Sequence, residues 1–231
     1  IKTNVLGAQN IINAALKTDI KKVIALSTDK AAAPINLYGA TKLCSDKLFV
    51  AANKFAPKMD LAVVRYGNVM CSRGSVIPFF LSQRDKGTLS ITHKDMTRFN
   101  ITLSQAVENV MLALHDSFGG EIFVPKLPSY RILDLAQAIA PNCDYEYVGL
   151  RAGEKIHEEM ITASDSFSTY DFGDHFRILP YSLSDKLSKY IKDSGAEKVS
   201  NHFAYNSGSN DTWLTPEELR KLISCEVGYE I

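Results

Sequence analysis

The amino-acid sequence predicts an α/β fold, a parallel sheet flanked by helices with a smaller α/β lobe attached. Two observations carry that expectation. Between Ile1 and Arg65, apolar residues alternate between helical spacing and short strand-length runs, in the order helix, strand, helix, strand of βαβ units. Beyond about residue 75 the periodic segments shorten while helices and strands still alternate, which describes an added lobe.

Taken in order, Val5, Ala8, Ile11, Ile12, Ala15 and Leu16 recur at helical spacing, and Thr18-Asp19 turns the chain into the apolar run Val23 to Leu26. Ser27-Thr28-Asp29-Lys30, with Pro34 beyond, leads into a helix from about Asn36 through Phe55, and Leu61 to Arg65 forms the next strand. Helices are expected near Val76 to Gln83, Ser104 to Leu114 and Ile132 to Ala140. Strands are expected near Leu89 to Thr92, Glu121 to Val124 and Tyr145 to Gly149. From Asp165 polar and aromatic residues dominate without a clear period. Thr215-Pro216-Glu217-Glu218 then opens a last helix with the hydroxyl cap, proline and acidic first turn of an N-terminus.

Composition excludes several functional classes. The 26 Lys and Arg of the 231 residues balance 26 Asp and Glu, which argues against a broad nucleic-acid-binding face. No apolar run approaches the roughly 18 residues that a membrane-spanning helix needs. Cys44, Cys71, Cys143 and Cys225 lie far apart without a C-x-x-C pair and read as reduced thiols of a cytoplasmic protein. No metal site is expected, because the five histidines are scattered and His157-Glu158 lacks a second histidine. His157, beside Glu158 and Glu159 on a helical pattern, reads as part of a solvated face. Tyr170, Phe172, Phe176 and Trp213 read as ordinary packing.

The chemistry concentrates at the first strand's end. On a helix Tyr38 and Lys42 share one face, and an ammonium beside a phenol favours the phenolate, a usable proton acceptor. Tyr-x-x-x-Lys alone is weak, since a chain of this composition contains close to one by chance. Ten residues before Tyr38, however, Thr28, Asp29 and Lys30 end a buried strand. Hydroxyl, carboxylate, ammonium and phenol therefore meet at one sheet edge, where ligands of parallel sheets bind.

These residues, Ser27-Thr28-Asp29-Lys30-Ala31-Ala32 followed by Pro34 to Lys42, resemble the active-site segment of the extended short-chain dehydrogenase/reductase superfamily. The Thr-Asp-Lys triplet is similar to that of the nucleotide-sugar 4,6-dehydratases acting on UDP-N-acetylglucosamine, and tyrosine at 38 resembles the inverting members of pseudaminic acid biosynthesis. Val64 to Val69, Ser72 to Phe80, Asp95 to Phe99, Gly119 to Lys126 and Arg151 to Glu158 continue the resemblance to about Met160. It implies a Rossmann-like domain, of which residues 1–75 are the remainder, and a substrate lobe and tail over 76–231 with segments returning to the sheet. It also implies that roughly the first hundred residues of the family, with the glycine-rich pyrophosphate turn, are absent and that the chain alone is inactive.

The implied reaction is dehydration across C4 and C6 of UDP-N-acetylglucosamine with inversion at C5, giving a UDP-4-keto-6-deoxy-L-arabino-hexose through transient hydride transfer to NADP, with NAD as the alternative. Tyr38 would be the base at C4, Lys30, desolvated near other cations, the base at C5, and Asp29 the acid at the C6 hydroxyl; Thr28 would bond the sugar and Lys42 the cofactor ribose. Leu26, Ser27, Tyr38, Lys42, Val69, Met70, Cys71, Ser72 and Arg73 would pass the cofactor. Asn68, Val76, Thr92, Arg98, Arg151 and Glu154 would hold the substrate, with a structural salt bridge the rival account of Arg98. Cys71, where the family has glycine, Ala33, where asparagine is common, and Asn100, where tryptophan is common, depart from the pattern. A homo-oligomer is implied. A UDP-sugar 4-epimerase and a non-catalytic, truncated protein that binds UDP-sugars or a partner subunit remain as alternatives; Asp29 and Lys30 argue against the epimerase, which needs no acid or base at C5 and C6.

Overall fold

The computed structural model describes residues 1–180 and 184–228. They form two compact units, the first of Ile1–Tyr66, Val107–Lys126 and Glu159–Tyr205, the second of Gly67–Ala106, Leu127–Glu158 and Asn206–Ile231.

In the first unit a π-helical turn, Lys2–Leu6, runs into the helix Gly7–Ala15, and the strand Lys22–Thr28 follows. A 3-10 turn at Asp29–Ala31 and the helix Leu37–Ala52 lead to the strand Asp60–Tyr66. The two strands pair in parallel from Lys22 opposite Asp60 to Thr28 opposite Tyr66, so their carboxyl ends lie side by side. Ile122–Pro125 adds a third parallel strand. Ala62, Val64, Ala113 and Phe123 are buried together, the alternation along Asp60–Tyr66 turning every second side chain to this face. Burial of a side chain the size of Val64 or Phe123 contributes about 1.5–3 kcal/mol.

The sheet then continues antiparallel through His175–Ile178, Thr169–Asp171 and Glu197–Lys198, giving six strands. The sequence reading left this region without elements, and Arg177 explains why. All four residues of His175–Ile178 are buried, yet two are basic, so no apolar period marks the strand. Arg177 is fully buried, with its guanidinium carbon 4.4 Å from the ring centroids of Phe123 and Phe172 and 5.0 Å from that of Tyr190. Its Nε donates to His175 Nε2 at 2.9 Å and Nη1 to the Asp116 carbonyl at 3.2 Å. A buried guanidinium is tolerated only when its donors are satisfied in this way. Phe172 and Phe176 do pack, but as partners of charge and aromatic rings, Phe176 beneath the Lys126 ammonium.

The second unit holds a three-stranded sheet of Asn68–Val69, Thr97–Ile101 and Ser129–Arg131 and a parallel pair of Thr88–Ile91 with Asp144–Tyr147. The helices Val76–Arg84, Ile132–Ile139 and Pro216–Val227 enclose a core that includes Phe80, Leu89, Ile91, Leu135, Leu219 and Ile223. The last helix starts with the capping box formed by Thr215 and Glu218. Residues 151–158 contain no helix, contrary to the periodic reading of His157; His157 itself is exposed, while Glu158 is buried. Among the described residues no helix is long and apolar enough to cross a membrane.

Candidate active site

The first unit brings the Thr28–Lys42 residues together by three local devices. Strand Lys22–Thr28 ends where Thr28, in extended conformation, caps the Asp29–Ala31 turn by accepting from the Lys30 amide. Asn36 caps the next helix, its Oδ1 accepting from the Gly39 amide at 2.8 Å. Gly39 then lets helix and turn touch: a Cβ there would stand 2.2 Å from the Lys30 carbonyl oxygen. Tyr38, half exposed, sits on this first helical turn.

Asp29 is the most buried charged group of the cluster, 1% exposed. Its Oδ1 accepts from Thr28 Oγ1 at 2.8 Å and from Lys30 Nζ at 3.0 Å, while Oδ2 is buried without a hydrogen-bond partner among the described residues. An orphaned carboxylate oxygen at the mouth of a parallel sheet is costly unless a ligand group or a proton meets it. Lys30 is a third exposed and ion-paired with Asp29, which corrects the expectation of an ammonium desolvated among cations. Lys42 Nζ donates to the Leu26 carbonyl at 2.5 Å, so the helix and the strand end are fastened at the position that carries the Tyr-x-x-x-Lys lysine.

Behind this front lies a buried network of which the sequence reading gave a role to Ser27 alone, as a cofactor contact. Ser27 Oγ donates to Asp46 Oδ2 at 2.8 Å, and Arg65 Nη2 reaches the same oxygen at 3.2 Å while Nη1 donates to the Met160 carbonyl at 2.9 Å. Burial pushes the Asp46 carboxyl up from its ordinary value against the pull of Arg65 and Ser27. Lys42 and Asp46 are one helical turn apart and bond the consecutive residues Leu26 and Ser27, so the helix is pinned to the strand at two successive points. The signal available in the sequence was the i, i+4 spacing from Tyr38 through Lys42 to Asp46. Tyr66, at the end of the neighbouring strand, is a second phenol here, held above its usual value by burial and then by the nearby Tyr38.

The remaining predicted residues lie in the second unit. Asn68 and Val69 form the short strand beside Asn100 and Ile101, and among the described residues the Asn68 Oδ1 is buried without a hydrogen-bond partner. Met70 is buried in the core, Ser72 and Arg73 are exposed, and Cys71 adopts φ 57, the left-handed conformation that glycine takes without strain. Val76 begins its helix, and Thr92 follows the strand Thr88–Ile91. Arg151 and Glu154 close one turn: the Arg151 amide donates to Glu154 Oε2 at 3.2 Å and the Glu154 amide to the Arg151 carbonyl at 3.1 Å. Arg98 is buried, its Nη1 donating to the carbonyls of Thr97 and Ile156 and its Nε 3.7 Å from Glu158, so the fold itself engages this guanidinium. Asn100 is buried in its strand, its amide donating to the Pro128 carbonyl.

The chain is similar to known proteins over nearly its whole length. The family model described as polysaccharide biosynthesis protein matches residues 1–180. The chain is 48% identical over 237 aligned residues to a Campylobacter jejuni protein named UDP-N-acetylglucosamine 4,6-dehydratase (inverting), covering 99% of this chain and 71% of the relative. It is 39% identical over 230 residues to a Rickettsia canadensis protein named UDP-glucose 4-epimerase, covering 96% of this chain and 67% of that relative. The crystal structure of Pen from Bacillus thuringiensis superimposes with a TM-score of 0.84 at 34% identity, over 97% of this chain and 69% of the other. The chain belongs to the polysaccharide biosynthesis protein family.

Proposed function

We propose that the protein is a nucleotide-sugar 4,6-dehydratase, a lyase acting on UDP-N-acetylglucosamine with inversion at C5. The observation that carries this reading over an epimerase is the Asp29–Lys30 pair. Exchange at C4 alone requires one base, whereas elimination across C5 and C6 requires a base and an acid close together. Passing one proton along the 3.0 Å contact from Lys30 Nζ to Asp29 turns the ion pair into a neutral amine and a carboxylic acid, the two forms that elimination uses. Asp29, buried with its Oδ1 3.0 Å from Lys30 Nζ, places an acid and a base side by side at the strand end, which supports this reading.

Tyr38 takes the proton of the C4 hydroxyl, and Lys42 keeps the helix and the strand end in place while two of its three donors remain for a ribose. A half-exposed phenol with an ammonium on the same helix face is a donor set that fits a nicotinamide ribose, and Leu26, Ser27 and residues Val69 to Arg73 are the further cofactor contacts of this reading. When bound, NADP supplies the hydride acceptor and later the hydride donor. Lys30 removes the C5 proton, Asp29 protonates the departing C6 hydroxyl, Thr28 bonds the sugar, and Tyr38 returns a proton to C5 on the opposite face. Asn68, Val76, Thr92, Arg151 and Glu154 serve the UDP-sugar, with Arg98 as the support of the Ile156–Glu158 segment. The same reading carries a homo-oligomer, a cytoplasmic location and a product destined for pseudaminic acid.

Full-length protein incubated with UDP-N-acetylglucosamine and NADP and followed by proton NMR tests the proposal. A new C6 methyl signal with C5 inversion is expected. An interconverting galacto product would replace the reading by the epimerase, and an inert sugar in the presence of bound cofactor would remove both.

A further inference from the structure

We infer that His157 is a positioning residue that holds the Arg151–Glu154 turn, through Thr97 and Ser207, in the conformation that binds the nucleotide end of the substrate; this rests on the nucleotide-sugar reading. The segment following the strand Asp144–Tyr147 has no regular structure as far as Glu158, and it contains two glycines in the left-handed region, Gly149 and Gly153, each at φ 83. Such a segment takes its shape from where it is tied down. Its C-terminal end is tied at three consecutive residues. The Ile156 carbonyl accepts from the Thr97 amide at 3.0 Å and from Arg98 Nη1 at 3.1 Å. The His157 Nδ1 meets Thr97 Oγ1 at 2.8 Å. The Glu158 amide donates to Ser207 Oγ at 2.9 Å, and the Ser207 amide donates back to the Glu158 carbonyl at 2.8 Å.

Thr97 Oγ1 and Ser207 Oγ, 2.7 Å apart, join these ties into one chain of hydroxyls that ends on the imidazole. Thr97 and Ser207 are both buried, whereas His157 lies at the surface with its ring over Gly208, where a Cβ would come within 2.5 Å of Nδ1. The chain accepts either ring form: when Nδ1 accepts, the Thr97 hydroxyl donates to it and Ser207 donates to Thr97, and when Nδ1 donates, both hydroxyls turn round. Only a side chain with a polar atom at the Nδ1 position completes it. Three residues upstream of His157 is Glu154, whose carboxylate closes the turn on the Arg151 amide, so a displaced 156–158 anchor moves both proposed nucleotide contacts together.

The test compares wild type, His157→Ala and His157→Asn in the full-length protein by hydrogen–deuterium exchange over residues 149–158 and by calorimetry with UDP. His157→Ala raises exchange in that segment and weakens UDP binding about fivefold, the scale of one lost hydrogen bond. His157→Asn, which keeps a polar atom where Nδ1 sits, restores both to within about twofold. Exchange in His157→Ala equal to wild type overturns the inference, as does an asparagine variant as impaired as the alanine one. Equal UDP affinity in wild type and His157→Ala also overturns it and leaves the nucleotide-sugar reading standing. If wild type takes up no UDP, the nucleotide-sugar reading falls and with it the binding role assigned to the turn, while the exchange data alone judge the tie.

Discussion

Replacing Gly39 by alanine tests the contact on which the proposed active site depends. The new Cβ would lie 2.2 Å from the Lys30 carbonyl oxygen, 3.0 Å from Pro34 Cβ and 3.1 Å from the Lys30 carbonyl carbon. Ordinary contact begins near 3.5 Å, so the methyl group needs roughly 1 Å more room than the fold provides. Neither side yields easily. The helix start is fixed by Asn36 on the Gly39 amide, and the turn is closed by the Ala32 amide on the Asp29 carbonyl at 3.1 Å. Alanine gains about 1 kcal/mol over glycine in a helix, whereas overpacking costs about 1–3 kcal/mol, and an obstacle made of backbone puts this site at the upper end or above it. A net loss of about 2 kcal/mol is expected, together with a displacement of Asp29 and Lys30 from Tyr38. Misplacement by about 1 Å costs on the order of 100-fold in turnover. Urea melts followed by circular dichroism read the first quantity, and initial rates of C6 methyl formation read the second. A Gly39→Ala protein that melts at or above the wild-type midpoint would refute the close approach of helix and turn. A variant that keeps turnover within about threefold would refute its catalytic consequence.

Three further outcomes follow from other contacts. Ala33 is exposed and held at φ 45, so Ala33→Gly relieves a left-handed strain of about 1–2 kcal/mol against a chain-entropy cost of about 0.5–1, and a higher urea midpoint is expected; an unchanged or lower one contradicts the strain. Burial holds the His175 imidazole below its ordinary 6.5, although Asp174 pulls the other way, so the unfolded chain takes up this proton first. The stability it carries is complete above pH 6.5 and declines as the pH falls below that value; the urea midpoint of wild type should therefore drop more than that of His175→Asn between about pH 7.5 and about pH 5.5, and parallel curves would exclude His175 as the cause. In deuterated solvent, Lys30→Ala should lose exchange at C5 of the sugar, and Asp29→Asn, which leaves Lys30 no carboxylate to take its proton, should lose both that exchange and the C6 methyl product by at least about 100-fold. Persistent C5 exchange in Lys30→Ala, or unimpaired product in Asp29→Asn, would reverse the assigned roles.

Local spacing made the front of the site legible. Tyr38 and Lys42 are one helical turn apart, and Thr28, Asp29 and Lys30 are contiguous, so each group needed only the correct reading of one helix and one strand end. The parallel strands were readable for the same reason, since Leu61–Val64 are all fully buried and form an uninterrupted apolar run. The back of the site was not readable, because Asp46 reaches Ser27 and Arg65 across 19 positions in each direction and Arg65 reaches Met160 across 95. A charged residue in a sequence carries no mark of whether its partner will be buried beside it. Arg177 shows the same limit in the fold: an arginine enclosed by Phe123, Phe172 and Tyr190 looks, in one dimension, like a surface residue. At His157 the helical spacing of the sequence forms no helix, and although the residue is exposed as expected, its tie to Thr97, 60 positions away, carried no local signal.

Cys71 and Ala33 share one backbone feature. Glycine and asparagine are the residues that enter the left-handed region at least cost, yet Cys71 and Ala33 stand there at φ 57 and φ 45. Such a conformation persists only where surrounding contacts over-determine it. At Cys71 these are the turn bonds from Ser72 to Val69 and from Ser75 to Ser72, and at Ala33 they are the Asp29–Ala32 turn and Pro34 against Gly39. Strain is therefore held in the very turn that carries Asp29 and Lys30. Relieving it at Ala33 should stabilise the fold and, if the turn relaxes, lower turnover, which is the trade-off expected where a backbone is bent for chemistry.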